Sequence, residues 1–468
     1  MLIGRAPLIN ATANSSSHFY AGTATIGITP RVGVAMQGYD RRSARAIADG
    51  TFATALALLK ERVRWLLLSV DVIGLDRSFS NRVRRSVARR LGMSPACITI
   101  ISSHTHSGPA TLYRLGAVPA DKDYLKFLES RLTAAAEQAA AQFRPVRWRF
   151  GMTSLAENVN RRVRFGNRIE LGVDSAGPVD QRLRVLRLDP VDEASTPLAL
   201  VVHYACHATT SGDSLEISAD WPGAMRNQVR EFYGGSKDPA VLFLQGCTGD
   251  LTHRIGRDKE SWPGHFGRHS TMQSQALGTV VGQACIEASE RSEQLDATDV
   301  QVAVKPVALP YYKRRGRETS EVQVARIGPE RHGLCAEEEA VWFVGLPGEP
   351  FTQYSTDFGR EFHRILGASA DRTLVCGYTN DCVGYLCTPQ ALEEGGYEAA
   401  VAHRMYHRPA PFAETVETLL LDHSLSAARE IQGMTSDASC WKQAISRLAG
   451  RAAEILSGGG RSQNGHEH

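Results

Sequence analysis

The sequence predicts an α/β (or α+β) fold of layered, mixed β-sheets flanked by helices, and three observations predict it. Short continuous apolar runs recur along the 468 residues, and each ends abruptly in polar or glycine-rich chemistry, as strands buried on both faces do. Segments with apolar residues at helical spacing lie between these runs. The composition, 43% hydrophobic and 22% charged, is that of a globular chain and excludes collagen, coiled coil and wholesale disorder. A net charge of +3 supplies no phosphate-binding field, so no nucleic-acid partner is expected. No apolar run approaches the ~18–20 residues that span a bilayer.

The strand-like runs are Trp65 to Val70, Ile98 to Ile101, Leu198 to Ala205, Val241 to Leu244, Ala340 to Val344 and Leu374–Val375. Helices are expected from Lys122 to Phe143, from Ala224 to Tyr233 with Pro222 in the first turn, from Thr352 to Leu366 and from Trp441 to Leu456. Residues 1–20 read as a flexible polar arm without the basic and apolar regions of a secretory signal. Residues 457–468, with their terminal His-Glu-His, read as a disordered, solvated tail. Residues 21–456 carry no repeat or low-complexity linker and are expected to form one domain. The nine cysteines are odd in number, scattered and without a C-x-x-C pair, which points to buried thiols in a cytoplasmic protein. Basic stretches such as Arg82 to Arg90 read as solvated faces, and membrane contact is not expected.

Loops at strand ends commonly line a ligand crevice, and here they carry histidine and carboxylate. His104 and His106 follow the Ile98 run. On an extended backbone residues i and i+2 project to one side, so the two imidazoles can face one cavity; a pair of hydrogen-bonding loop histidines is the plainer alternative. His207 ends the Leu198 run and is the better ligand candidate than His203, which sits mid-run as a core histidine would. Glu349 follows Leu-Pro-Gly, where a carboxylate has no packing role. A His/His/Glu set suits a catalytic zinc with an open position for water.

Seven segments appear in an order that resembles the neutral/alkaline (non-lysosomal) ceramidase family: Met36-Gln-Gly-Tyr39, Ser103-His-Thr-His-Ser-Gly-Pro109, Asn158-Val-Asn-Arg161, His207-Ala-Thr-Thr210, Gly249-Asp-Leu-Thr252, Gly345-Leu-Pro-Gly-Glu349 and Gly384-Tyr385 with Tyr397-Glu-Ala-Ala400. The resemblance runs from about Gly22 to Val401 and covers that family's catalytic domain. It implies a zinc-dependent amide hydrolase acting on an N-acyl, ceramide-like or other small amide, with a place in lipid metabolism. It further implies that His104, His207, Glu349 and Tyr385 hold one Zn(2+), with Tyr378 an alternative to Tyr385. His106 would act beside the metal as the proton carrier, and Arg161 and Tyr397 would bind the substrate carbonyl. In that scheme zinc-bound water attacks the amide carbonyl.

Each of these residues also has a plainer reading. Arg161 lies in an arginine-rich stretch with the look of a solvated loop, Tyr397 fits a helix-packing aromatic, and Asp250 fits a turn residue that orients a ligand. Three features set the chain apart from that family. The absence of a secretory signal, the short helical stretch after Val401 in place of an immunoglobulin-like domain, and Thr252 where the family carries serine all make the reaction type firmer than the substrate. Ester or cyclic-amide hydrolysis by the same site is the first alternative, and a non-catalytic binding protein on the same fold is the second.

Overall fold

The computed structural model describes residues 19–60, 62–192, 196–234, 238–255, 270–330 and 334–433. The expected helix from Trp441, the tail and most of the N-terminal arm lie outside these residues. Phe19 and Tyr20, read as the end of the arm, instead open the first strand, because Phe19 is buried in the core.

In chain order the principal strands are β1 (Phe19–Gly27), β2 (Phe52–Leu59), β3 (Val63–Val70), β4 (Ile98–Ser102), β5 (Arg144–Ser154), β6 (Asn158–Phe165), β7 (Arg168–Asp174) and β8 (Arg182–Pro190). They continue with β9 (Ala199–Tyr204), β10 (Ala240–Gln245), β11 (Leu251–His253), β12 (Glu293–Leu295), β13 (Asp299–Pro310), β14 (Arg317–Gly328), β15 (Val341–Gly345) and β16 (Thr373–Cys376). The long helices are α1 (Arg77–Leu91), α2 (Lys122–Ala140), α3 (Asp220–Tyr233), α4 (Thr271–Glu290), α5 (Thr352–Leu366) and α6 (Val416–Ile431).

One large sheet runs β10-β9-β8-β5-β1-β2-β3-β4, with β12 also paired to β5; a second runs β13-β14-β15-β16, and β7-β6-β11 form a third. The first two sheets face each other. Trp65, Leu67, Trp148 and Leu244 from one meet Ile327, Val341, Phe343 and Leu374 from the other in a single apolar cluster. Helices α1 and α2 cover the outer face of β1–β3, α3 and α4 cover β8–β10, and α5 and α6 cover the outer face of the smaller sheet. The fold is thus an α/β/β/α stack, which explains why the strand runs are apolar throughout: both faces of both sheets are buried.

Helix α2 stops at Ala140 rather than Phe143. Pro145 disfavours helical backbone at Arg144, where β5 begins. Pro222 lies in the first turn of α3, where its missing amide hydrogen costs nothing. Within each parallel pair, β3/β4, β9/β10 and β15/β16, the carboxyl ends lie together. The loops after β4, β9, β10, β15 and β16 carry the candidate residues. The segment after β16 also closes the gap between the sheets, since Asn380 N–H donates to the Ile100 carbonyl and Tyr378 accepts from Ser102 N–H.

Asp381 ties three elements together at that seam. It accepts from Arg77 N–H at the start of α1 (3.0 Å), from the Ser320 hydroxyl on β14 (2.7 Å) and from Cys382 N–H (2.9 Å). Burial pushes its carboxyl up to about 7. A carboxyl that titrates higher in the folded than in the unfolded chain (~3.9) contributes stability that is full below pH ~4 and lost as pH rises through about 7. Asp381→Asn, neutral at every pH, should therefore lose less stability than the parent between pH ~5 and ~8, by about 1 kcal/mol or more at ~1.4 kcal/mol per pKa unit. Urea midpoints across that range check it, and parallel curves would sink it.

Candidate metal centre

The loop after β4 brings His104 and His106 inward by a route other than the one expected. His104 has φ +64°, a left-handed conformation, so the pair is not extended. The turn still aims both rings at one point, with the two Nε2 atoms 3.1 Å apart. His207, in the loop after β9, places its Nε2 3.3 Å from that of His106. Glu349 Oε2 lies 3.2 Å from His104 Nε2.

The other ring nitrogen of each histidine faces a backbone carbonyl. His104 Nδ1 is 2.6 Å from Ile73 O, His106 Nδ1 is 3.1 Å from Gly38 O and His207 Nδ1 is 3.3 Å from Thr248 O. A carbonyl only accepts, so each Nδ1 carries the hydrogen, and Nε2 is the ring position that each histidine can offer to a metal. Three Nε2 atoms converging on one point could hold a cation between them, and a carbonyl-anchored imidazole is the usual form of a metal-bound histidine. The donor set therefore fits a borderline ion such as zinc. Burial, together with the neighbouring His104 charge, pushes His106 and His207 well below the ordinary histidine range, so both rings are neutral at pH 7.

Local structure fixes the histidine loops. Gln245, fully buried at the end of β10, donates from Nε2 to the carbonyls of Ser103 and Cys206, both at 3.0 Å. Each is the residue just before a histidine, so one amide sets the spacing of the two loops. His106 N–H donates to Ala208 O, and Trp221 Nε1 donates to His207 O. Gly38, at φ +104°, packs so closely on His106 that a Cβ there would lie 2.5 Å from Nδ1. Tyr39 meets the same ring edge-on at 5.2 Å.

Glu349 reaches the histidines through a parallel bridge of Glu349–Pro350 with Tyr385–Leu386, in which Glu349 stands opposite Tyr385. Burial alone would raise the Glu349 carboxyl, but the His104 imidazole beside it brings it below its ordinary value. Its Oε2 accepts from the Tyr378 hydroxyl (3.2 Å), its Oε1 accepts from the Tyr406 hydroxyl, and Tyr378 stacks on His104 at 4.1 Å. Tyr378 itself adjoins Thr248 Oγ1 at 2.8 Å. The Tyr385 hydroxyl accepts from Arg161 Nη2 at 3.0 Å, and the Tyr385 and Tyr397 rings meet edge-on at 5.8 Å.

Arg161 is buried on β6. Its Nη2 also donates to Gly249 O (2.7 Å), and its Nε pairs with Glu398 (2.8 Å), whose other oxygen takes Arg162 (2.9 Å). Burial works against the guanidinium charge, yet Tyr385 and Glu398 beside it hold Arg161 well above its ordinary value. The arginine-rich stretch is therefore no solvated loop at this point. Glu398 lies in the single π-helical turn Tyr397–Val401, and that turn carries Tyr397 into the same cavity.

Three residues take structural places. Asp250 accepts from Asn160 Nδ2 (2.9 Å) and Thr352 N–H (2.7 Å), joining β6 to α5 without touching a histidine; burial raises it to about 6. Thr252 is buried in β11 opposite Val159. His203 lies in the core, 3.2 Å from Arg184 and 3.1 Å from Val375 O. Sequence reasoning did not single out Gln245, Thr248 or Tyr406; the first two follow the Val241 run, where the strand-end rule points, and Tyr406 stands in no such pattern.

No family model matches the chain, and no curated protein matches it by sequence. Among solved structures, the neutral ceramidase from Pseudomonas aeruginosa superposes with a TM-score of 0.70 at 14% identity, over 90% of this chain and 76% of that one. A ceramidase complexed with C2 gives the same TM-score and identity over 90% of this chain and 78% of the other. The chain therefore has a ceramidase-like fold, as the order of its sequence segments implied. The histidine group that could hold a metal lies among the loops at the strand ends of that fold. Among the described residues no helix is long and apolar enough to cross a membrane.

Proposed function

We propose that this protein is a zinc-dependent amide hydrolase of the ceramidase type. The observation that carries the reading is the convergence of three imidazoles, each anchored at Nδ1 by a backbone carbonyl, with Glu349 3.2 Å from His104. His104, His207, Glu349 and Tyr385 would hold the ion, and bound zinc supplies a Lewis acid and a water of lowered pKa. His106 is less buried than His104 and His207, and it lines the cavity that His207 does not reach. That placement supports His106 as the group that takes a proton from water at Nε2 and passes it to the leaving amine.

Tyr397 lines the same cavity, Arg161 stands behind its Tyr385 wall, and the two would donate to the carbonyl oxygen as charge develops there. Arg161 enters this role already oriented, because Glu398 and Gly249 O fix its fork. No serine nucleophile is needed. Seven free cysteines among the described residues support a reducing, cytoplasmic setting. Purified protein should contain about one zinc per chain, and a chelator should abolish hydrolysis of N-acyl amides until zinc is restored. Amide hydrolysis that survives complete metal removal overturns the mechanism. Zinc without turnover of any amide, but with turnover of esters, moves the reading to the ester hydrolase.

A further inference from the structure

The Met36-Gln-Gly-Tyr39 segment has a role that metal chemistry does not use. Gln37 is 2% exposed, and its side chain is spent on one loop, residues 111–118. Its Oε1 accepts from the N–H groups of Thr111 and Leu112, both at 3.0 Å. Its Nε2 lies within reach of the carbonyls of Leu112 (2.8 Å), Leu115 (3.2 Å) and Val118 (2.9 Å). A second set of bonds joins that loop to the segment after the π-helical turn. Gly116 N–H donates to Met405 O at 2.7 Å, and His407 Nε2 donates to Gly116 O at 2.8 Å. Leu115, Val118 and Met405 then line the cavity that contains His104, His106 and Tyr397.

That cavity has a volume of about 40 Å³. On the scale where an apolar cavity of ~150 Å³ holds one benzene, the inner space of this open-mouthed cleft is narrow. Resting on the amide-hydrolase reading, we infer that the 111–118 loop restricts this site to compact amides, with no long hydrocarbon chain on either side of the carbonyl, and that Gln37 is the positioning residue that sets the limit. A buried amide bonded to both ends of a loop holds it against displacement, because opening the loop would leave those polar groups unpaired. The restriction therefore belongs to the folded site.

Two substrate series test this with the zinc-loaded enzyme: N-acylethanolamines from acetyl to palmitoyl, and N-alkylacetamides from methyl to hexadecyl. A misfit methylene in a fitted pocket costs ~10–200-fold, so kcat/KM should fall at least ~10-fold beyond the first few carbons in each series. Gln37→Ala and Leu115→Ala, each checked for native circular dichroism, should flatten that fall by raising KM less steeply with length, with zinc content unchanged. Palmitoyl or hexadecyl substrates turned over as fast as the shortest members overturn the restriction and leave the amide reading standing. Folded variants that keep the parent's length profile overturn the assignment to Gln37. Failure to cleave any member of either series overturns the amide reading itself.

Discussion

His104→Ala is expected to lose bound zinc and, with it, amide hydrolysis. The side chain stands in the histidine group, 3.1 Å from His106 Nε2 and 3.2 Å from Glu349, so its removal takes away one of the two imidazole donors of the proposed set. Loss of an outer partner of a metal ligand typically costs ~10–100-fold; loss of the ligand itself should cost more. The parent, saturated with zinc at ~1,000 times its dissociation constant, gains about 4 kcal/mol from the metal, and the variant should lose that increment in a melt with and without chelator. His106→Ala makes the contrast. It should keep zinc and lose ~10²–10⁴-fold in turnover, the usual worth of a positioned proton carrier. If His104→Ala retains full zinc while His106→Ala loses it, the two histidines have exchanged roles.

Arg161→Ala should lower kcat by ~10²–10³-fold with zinc retained, the scale set by removing one well-placed oxyanion donor. Tyr397→Phe removes a single hydroxyl from the same cavity and should act in the same direction by a smaller factor. Arg161→Ala also strips one of the two guanidinium partners from the buried Glu398 carboxylate, and breaking a buried ion pair can cost ~3–5 kcal/mol. Arg161→Lys separates the two effects. It keeps a charge near Glu398 but lacks the planar fork that reaches Gly249 O and Tyr385 together. Stability should recover in the lysine variant while kcat stays low. Recovery of both would show that Arg161 acts on stability alone, and loss of zinc in either variant would place it among the groups that hold the metal.

Much of the frame was legible because each apolar run ends where a strand ends, and Ile98 to Ile101 or Val241 to Leu244 need only the rule of two buried faces. The histidine and glutamate candidates were legible for the same reason, since each stands just past such a run. The path to the site was not. His104 takes a left-handed turn that period-two reasoning has no means to see, and the rings still meet because the loop is bonded elsewhere. The roles of Gln245 and Tyr406 are invisible in sequence because they depend on partners far along the chain, 39 and 142 positions away for Gln245 and 57 for Tyr406. At Arg161 it was the plainer reading that failed: four arginines in one stretch resemble a solvated surface until Glu398, far along the chain, pairs with two of them.

The three metal-binding candidates from strand-end loops are set by three strands, β4, β9 and β15, drawn from both facing sheets. Their carboxyl ends come together only when the sheets have docked, and the Gln245 amide can join the two histidine loops only after β10 has found its register beside β9. Such contacts are far apart along the chain and close late in folding. A bound ion would thus be the last component of an assembled scaffold rather than the seed around which it condenses, and the apoprotein would have to stand on its apolar layers alone.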